Sequence, residues 1–299
     1  KPEVVTEFLG IIRVYKDGHV ERLIEAEFVL PSTHPETDVS SKDIIIILEP
    51  NVSARLFIPK PTHPNQKLPL LVYFHGGAFC VSSPFTPTNV IAVSVNYRKT
   101  SEHPIPTAYE DSWAALQWVV VSHFNSQGPE AWLNDHADFE RVLLGGESAG
   151  ANIAHNLAIV ARDPEFGLNV LLLGIALVHP YFWGSEPIGS EALNLDGKAV
   201  VDRLWPFLCP ANQDNNDPRV NPVSTDGPSL VGLGCRRVLV CVAEKDVLRD
   251  RSGWMGVVEI METDGEGHGF HLNDLDCEKA KYLITRLAVF YNRDMPSNF

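Results

Sequence analysis

The sequence predicts an α/β fold built around a mostly parallel sheet, and two observations support this prediction. First, short runs of Val, Ile and Leu recur along the chain, and they are almost continuously apolar, as strands buried on both faces are. Second, stretches with helical spacing separate these runs, and an alternation of strand and helix indicates right-handed crossovers. The predicted strands of this sheet span residues 68–74, 90–97, 141–146, 170–178, 236–243 and 257–262.

The first 60 residues have the pattern of antiparallel strands. In residues 11–23, a Lys-Asp-Gly-His turn joins two alternating runs, which is typical of a β-hairpin. Residues 53–60 form a further alternating run. We therefore expect these N-terminal strands to lie at one edge of the parallel sheet.

Two segments between the predicted strands have the spacing of helices. Residues 108–124 place Trp113, Leu116 and Val120 at helical intervals, and residues 148–163 repeat small and apolar residues in the same way. Residues 181–230 differ, because they are rich in Pro, Asn, Asp and Gly. We interpret residues 1–299 as a single domain in which an N-terminal segment of about 1–30 and an insertion of about 181–230 form a cap.

Two connections between predicted parallel strands are too short for the usual crossover. The segment from Phe74 to Val90 has no helical pattern, although such a crossover needs about a dozen residues or more. The segment after residues 246–251 is short in the same way. We expect that residues are absent from this sequence near Thr88/Asn89 and near Arg251/Ser252.

Composition narrows the classes of function. The formal net charge of -14 argues against a nucleic-acid partner or an anionic membrane surface. No apolar run approaches the roughly 20 residues of a membrane-spanning helix. The five cysteines are odd in number and lack CxxC spacing, which favours reduced thiols in a cytoplasmic protein and predicts no metal site. Nothing in the motifs requires a cofactor.

Ser148 lies in the pentapeptide Gly146-Glu147-Ser148-Ala149-Gly150, which fits Gly-x-Ser-x-Gly between a predicted strand and a predicted helix. A nucleophile elbow needs this context, because its backbone doubles back and only small neighbours fit. The helix that follows starts beneath the serine oxygen and favours developing negative charge there. The pentapeptide alone is also compatible with a glycine-rich turn that carries an incidental serine.

A serine hydroxyl becomes an effective nucleophile when a base takes its proton and an acid orients that base. Asp246 follows the predicted strand 236–243, and His268 follows the last predicted strand between two glycines. The order Ser, Asp, His and these strand-end positions favour Asp246 and His268 as the acid and the base. The alternatives are Asp250 and Glu244 for the acid and His271 for the base.

Besides the serine and its acid–base pair, such a site needs N–H groups that stabilise the negative oxygen of the tetrahedral intermediate. The sequence "YFHGGAF" directly follows the predicted strand 68–74, where a loop could direct backbone N–H groups at a carbonyl oxygen. The predicted donors lie in Gly76, Gly77 and Ala78, and Ala149 adds the N–H that follows the nucleophile. A plain glycine turn is the alternative for this loop.

Together these segments resemble a known family. The sequences "HGGAF", "VSVNYRKTSEHPIPTAYEDSWAALQW", "GGESAGANIAHN", "DVLRD" and "HGFHL" are similar to the hormone-sensitive-lipase-like branch of the α/β-hydrolases. Within that branch the chain resembles the plant carboxylesterases, including the 2-hydroxyisoflavanone dehydratase-like members. The resemblance covers nearly the whole chain and implies an α/β-hydrolase fold with helices on both faces of the sheet and a cap.

The resemblance also implies site residues. It implies a Ser148–Asp246–His268 triad and an oxyanion hole at the His-Gly-Gly loop. Ala78 departs from the family's commoner third glycine, and we expect alanine to serve there provided that its φ is negative. We expect the substrate pocket to be formed by Phe79, Glu147, Phe182 and Trp183, with Cys80 and Phe79 at its mouth and Trp205 and Phe207 as further candidates. For each of these aromatic residues, an ordinary place in the core is the alternative.

Three functions follow from the resemblance. The first is a carboxylesterase that hydrolyses esters of small metabolites or xenobiotics through an acyl-enzyme at Ser148. The second is a lyase, dehydratase or cyclase of specialised metabolism, in which the histidine acts as a general base. Dehydratases of this branch tend to carry threonine at the nucleophile position, so Ser148 favours hydrolysis. The third is a gibberellin-receptor-like binding protein, but such receptors lack the catalytic histidine, and His268 argues against this function.

Overall fold

Strands and helices alternate along most of the chain in the computed structural model. It describes all residues except 1, 2, 9, 25–28, 64, 82–88, 164, 166, 167, 169, 226, 229–232, 253–257 and 294–299. The strands are β1 (Val4–Phe8), β2 (Ile12–Tyr15), β3 (Val20–Arg22), β4 (Ser40–Ile47), β5 (Val52–Ile58), β6 (Leu68–Phe74), β7 (Ile91–Asn96), β8 (Ala137–Glu147), β9 (Gly174–Val178), β10 (Val238–Ala243) and β11 (Glu259–Thr263). The helices are α1 (Thr107–Val121), α2 (Ala131–His136), α3 (Ala149–Ala161), α4 (Ser190–Leu193), α5 (Leu195–Val201), α6 (Leu204–Leu208), α7 (Arg249–Ser252), α8 (Phe270–Asn273) and α9 (Glu278–Asn292).

Eight strands form the central sheet in the order β11-β10-β9-β8-β6-β7-β5-β4. Neighbours from β11 to β7 pair in parallel, whereas β5 pairs antiparallel with both β7 and β4. Every residue of β6 and β10 is buried, as expected of strands covered on both faces. The predicted α/β class with a mostly parallel sheet is confirmed.

Helices cover both faces of this sheet. Successive residues of β6 show this, because Leu70 joins one apolar cluster with residues of α1 and α3, such as Leu116 and Ile153. Leu71 joins a second cluster with Leu283 and other residues of α9. The sheet therefore separates two cores, and its carboxyl edge is left for the loops that carry polar side chains.

The predicted hairpin at residues 11–23 forms, with β2 antiparallel to β3, but its place in the fold differs from our expectation. It joins β1 in a separate three-stranded sheet, and the antiparallel strands at the edge of the main sheet are β4 and β5. The side chain of Arg22 links the small sheet to the main body, since its Nε donates to the carbonyl of Cys80 at 2.7 Å. Charge pairing of Arg22 with Glu102 strengthens that link.

The two short connections both join neighbouring parallel strands, β6 to β7 and β10 to β11. Within the described residues 75–81 and 89–90 there is no α-helix, and the second connection contains the single turn α7. We expected residues to be missing from the sequence near Thr88/Asn89 and near Arg251/Ser252. These two points adjoin the segments 82–88 and 253–257, which lie outside the described residues. Among the helices in the described part of the chain, none is long and apolar enough to cross a membrane.

Candidate active site

Ser148 occupies a sharp turn between the end of β8 and the start of α3, with φ 51° and ψ −113°. The two glycines of the pentapeptide are required by close packing. A Cβ on Gly146 would lie 2.3 Å from the carbonyl carbon of Gly150, and a Cβ on Gly150 would lie 1.9 Å from the carbonyl oxygen of Phe74. Both distances are far inside van der Waals contact. The small residues around Ser148 therefore permit the sharp strand-to-helix turn that a nucleophile elbow requires.

The backbone of Ser148 is held on both sides by the segment that follows β9. Its N–H donates to the carbonyl of Val178 at 2.9 Å, and its carbonyl accepts the N–H of Tyr181 at 3.1 Å. The strained conformation at Ser148 is thus fixed by hydrogen bonds to a neighbouring strand end.

Ser148, His268 and Asp246 form one hydrogen-bonded chain. The Nε2 of His268 lies 2.9 Å from the Oγ of Ser148, and its Nδ1 lies 2.7 Å from the Oδ2 of Asp246. The other oxygen of Asp246, Oδ1, accepts the N–H of Leu248 at 3.0 Å. The carboxylate is buried, whereas the imidazole is 38% exposed toward the cavity. This is the geometry of a nucleophile, a base and an orienting acid.

The charges of this pair stabilise one another. Burial alone would raise the pKa of Asp246, but the hydrogen bond and the charge of His268 outweigh burial, so the pKa is lowered. Burial alone would lower the pKa of His268, but the hydrogen bond and the charge of Asp246, with a smaller effect of Glu147, raise it above its usual value. Both shifts therefore favour the ion pair of a protonated His268 and a deprotonated Asp246.

The alternative acids and the alternative base have other contacts. Asp250 accepts the N–H of Ser190 at 2.6 Å, and Glu244 accepts the N–H of Gly265 at 2.6 Å. The neighbouring Arg251 forms a buried ion pair with Glu191 of α4, with Nε 2.7 Å from Oε1. Asp250 and Arg251 therefore attach α4 to the main body. The Nε2 of His271 lies 3.6 Å from the carboxylate of Glu147.

The loop after β6 departs from our expectation at Ala78. Gly77, Ala78 and Phe79 all have positive φ, at 98°, 52° and 61°. The negative φ expected for Ala78 is wrong, because the loop turns sharply through three consecutive left-handed residues. Gly77 cannot carry a side chain here, since a Cβ would lie 2.4 Å from the carbonyl oxygen of Val81. Ala78 adopts a conformation that costs an L-residue about 1–2 kcal/mol relative to the right-handed region.

Of the four residues predicted to form an oxyanion hole, Gly77 and Ala78 are among the cavity-lining residues, whereas Gly76 and Ala149 are not. Gly77 and Ala78 line the same cavity as Ser148 and His268. Gly76 packs against Glu147, whose carboxylate oxygen Oε1 would lie 3.1 Å from a Cβ on that glycine. Ala149 is the first residue of α3 and is fully buried directly after the nucleophile.

The cavity above Ser148 has a volume of about 1460 Å³. The N-terminal region contributes Ile11 and Arg22 to its wall, and the region 181–230 contributes Tyr181, Val201 and Leu204. Both segments that the sequence predicted as a cap therefore line it. Glu147 also lines it, as predicted.

The predicted aromatic wall is wrong for Phe79, Phe182 and Trp183. All three are fully buried and none lines the cavity. Phe79 packs edge-on against Tyr109, and the indole of Trp183 donates to Asp202 at 2.8 Å. These rings belong to the main apolar core, which was the alternative for each of them. Cys80, Trp205 and Phe207 are likewise absent from the lining.

Sequence reasoning missed His179, which directly follows β9. Its ring is buried, and its Nδ1 accepts the N–H of Gly269, the residue after His268, at 3.1 Å. The rings of His179 and His268 have centroids 5.7 Å apart. In the sequence, His179 sits at the end of an apolar run before a proline, so no local pattern marks it as part of the site.

Comparisons with known proteins agree with this architecture. A family model described as the alpha/beta hydrolase fold matches residues 71–272. The chain is 44% identical to "Probable carboxylesterase 2" of Arabidopsis thaliana, over 98% of both chains. It is also 44% identical to a 2-hydroxyisoflavanone dehydratase of Glycine max, over 96% of this chain and 98% of that protein. Among solved structures, an esterase of Pyrobaculum calidifontis superposes with a TM-score of 0.69 at 25% identity, over 84% of each chain.

These matches extend over more than half of the chain and, for the plant relatives, over nearly all of it. The chain belongs to the alpha/beta hydrolase fold family, among relatives that include plant carboxylesterases and 2-hydroxyisoflavanone dehydratases.

Proposed function

We propose that the chain is a serine carboxylesterase in which Ser148 is the nucleophile, His268 the general base and Asp246 the orienting acid. The observation that supports this proposal is the continuous hydrogen-bonded chain from Ser148 Oγ through His268 to Asp246, with contacts of 2.9 and 2.7 Å. Both contacts lie within the reach required for proton transfer and for orientation of a base. The carboxylesterase name of the relative that is 44% identical supports the same reaction.

The reaction proceeds in two halves. The Oγ of Ser148 attacks the ester carbonyl while its proton passes to Nε2 of His268, and Asp246 stabilises the imidazolium that forms. The tetrahedral intermediate expels the alcohol, which takes the proton from His268 and leaves an acyl group on Ser148. Water then repeats the sequence with His268 as base, so that the products are a carboxylic acid and the regenerated serine.

The negative oxygen of each tetrahedral intermediate is stabilised by backbone N–H groups. We assign this role to the N–H of Ala149 and to those of the loop Gly76–Ala78. Ala78 is included although its φ is positive, because it lines the cavity beside Gly77 and contributes only its backbone N–H. The start of α3 adds the positive end of a helix dipole directly at Ser148. In hydrolases of this kind, loss of one such donor costs about 2.7–4 kcal/mol of transition-state stabilisation.

The substrate is a small-molecule ester, bound between the sheet and a cap. We assign the cap to the N-terminal segment of about 1–30 and the insertion of about 181–230, because described residues of both line the cavity. The net charge of -14 gives no basis for a nucleic-acid partner. All five cysteines are free, which favours a cytoplasmic location.

A dehydratase or cyclase is the second candidate, and the relative from Glycine max that is 44% identical supports it. In that reaction His268 removes a proton from the substrate, and water or another leaving group departs without acylation of Ser148. Product analysis separates the two functions, since hydrolysis yields an acid and an alcohol whereas elimination yields one unsaturated product and water.

The decisive experiment compares Ser148→Ala with the wild-type chain on a short p-nitrophenyl ester. We expect Ser148→Ala to lose nearly all turnover and all labelling by a fluorophosphonate probe, while its unfolding by urea stays unchanged. Ser112→Ala is the matched control, because Ser112 is a buried serine on α1, remote in the chain from the elbow. Undiminished turnover in Ser148→Ala would exclude Ser148 as the nucleophile.

A further inference from the structure

The segment that follows β9 holds the nucleophile in place through its backbone. Val178 and Tyr181 bond the N–H and the carbonyl of Ser148. Between them, the N–H of His179 donates to the carbonyl of Cys241 on β10 at 2.7 Å. The backbone of His179 is thus fixed relative to Ser148 and to the strand that precedes Asp246.

The side chain of His179 extends from this fixed backbone to the loop that carries His268. Its Nδ1 accepts the N–H of Gly269 at 3.1 Å, and its ring contacts the rings of His268, Phe270 and His271, with centroids 5.4–5.7 Å apart. The ring of His179 is buried, so water does not compete for this hydrogen bond. Gly269 immediately precedes α8 and has a left-handed φ of 66°.

The role of His179 in this contact is that of a neutral acceptor. Burial, with the nearby rings of His268 and His271, lowers the pKa of His179 to about 3. Because Nδ1 accepts the N–H of Gly269, the ring proton lies on Nε2. Nε2 has no hydrogen-bond partner within the part of the chain that the structure describes. Among the described residues, the hydrogen bond to Gly269 is therefore the single polar contact of the ring.

We propose that His179 is a positioning residue that sets the distance between His268 and Ser148 by tying the loop of the base to the backbone that holds the nucleophile. This inference rests on the proposed function, in which His268 takes the proton of Ser148. Without the acceptor at position 179, the N–H of Gly269 is left buried and unpaired, and the loop shifts to find a partner. His268 then moves with it, since the two residues are adjacent.

Two substitutions at position 179 separate a positioning role from simple packing. His179→Leu removes the acceptor. His179→Asn restores an acceptor oxygen near the position of Nδ1, and asparagine tolerates the φ of 44° found at His179. His155→Leu is the matched control, because His155 is also fully buried and its ring nitrogens have no hydrogen-bond partner among the described residues.

Three readouts are measured on each folded variant: kcat and KM on a p-nitrophenyl ester, the rate of fluorophosphonate labelling, and the downfield Nδ1–H proton resonance of His268 in NMR spectra. We expect His179→Leu to lower kcat and the labelling rate by about 10- to 100-fold with little change in KM, as displacement of a catalytic group does. We expect the His268 resonance to be lost in His179→Leu, and all readouts to be kept in His179→Asn and His155→Leu.

Each outcome bears on the inference. Wild-type kcat and an unchanged His268 resonance in His179→Leu would overturn it, as would a His179→Asn variant that is as impaired as His179→Leu. If His179→Leu does not fold, the His179→Asn result alone decides, because loss of kcat in that variant contradicts the acceptor role. Failure of the proposed function is seen separately, as absence of labelling in the wild-type chain, and the NMR readout then still tests the contact.

Discussion

Asp246→Asn is the change that tests the chemistry of the site most directly. The two oxygens of Asp246 have different partners: Oδ2 faces the Nδ1 of His268 at 2.7 Å, and Oδ1 accepts the N–H of Leu248 at 3.0 Å. An asparagine must keep its single oxygen on the N–H of Leu248, because that group is buried. Its NH₂ group then faces Nδ1 of His268 and donates to it.

The consequence is a change of tautomer at His268. With Nδ1 as an acceptor, the ring proton moves to Nε2, which then faces Ser148 Oγ at 2.9 Å as a donor and cannot take its proton. In serine hydrolases that use this arrangement, the same acid-to-amide change lowers kcat about 10⁴-fold. This corresponds to about 5.5 kcal/mol of transition-state stabilisation, at about 1.36 kcal/mol for each tenfold change in rate.

The assay is steady-state hydrolysis of a p-nitrophenyl ester, with urea unfolding of each variant to confirm that it is folded. Asp250→Asn is the matched control, because Asp250 is the alternative acid and its carboxylate is instead bonded to Ser190. We expect Asp250→Asn to keep a kcat near the wild-type value. A folded Asp246→Asn variant within about tenfold of wild type would refute the assignment of Asp246, since the tautomer change costs about 10⁴-fold.

Three further predictions concern pH, a backbone strain and a buried ion pair. His268 must be neutral to act as a base, and its pKa is raised, so kcat/KM should fall as pH drops through a midpoint above 6.5. The charge of Glu147 contributes to the raised pKa of His268. Glu147→Gln should therefore lower the midpoint in a pH profile of kcat/KM. Ala78→Gly should raise the free energy of unfolding by about 0.5–1 kcal/mol in urea titrations, because relief of the left-handed strain exceeds the entropic cost of glycine. Arg251→Met should lower the free energy of unfolding by about 3–5 kcal/mol, because it leaves the fully buried carboxylate of Glu191 without its ion-pair partner. A loss below about 1 kcal/mol in a urea titration would contradict this account.

Sequence patterns predicted the parts of the site that depend on local backbone geometry. The elbow at Ser148 was recognisable because close packing permits only glycine at 146 and 150. Asp246 and His268 were recognisable because each follows a strand of the parallel sheet, and the ends of parallel strands meet at one edge of a sheet. Their catalytic roles stay predictions until the variants above are measured.

The parts that the sequence did not predict depend on contacts between distant segments. Phe182 and Trp183 are large aromatic residues of the kind that often line pockets, but in the fold both side chains are fully buried after β9. His179 ends an apolar run, as a core residue would. Only the fold brings it to Gly269, which is 90 positions away in the chain. The φ of Ala78 follows from the tight loop over Val81, a constraint that a single sequence does not display.

The attachment of Ser148 to Val178 and Tyr181 separates the position of this serine from the shape of the cavity. Ser148 takes its coordinates from the central sheet, whereas much of the cavity wall comes from residues such as Ile11, Val201 and Leu204 outside that sheet. Substitutions in the wall can therefore change which molecules fit the cavity without moving Ser148.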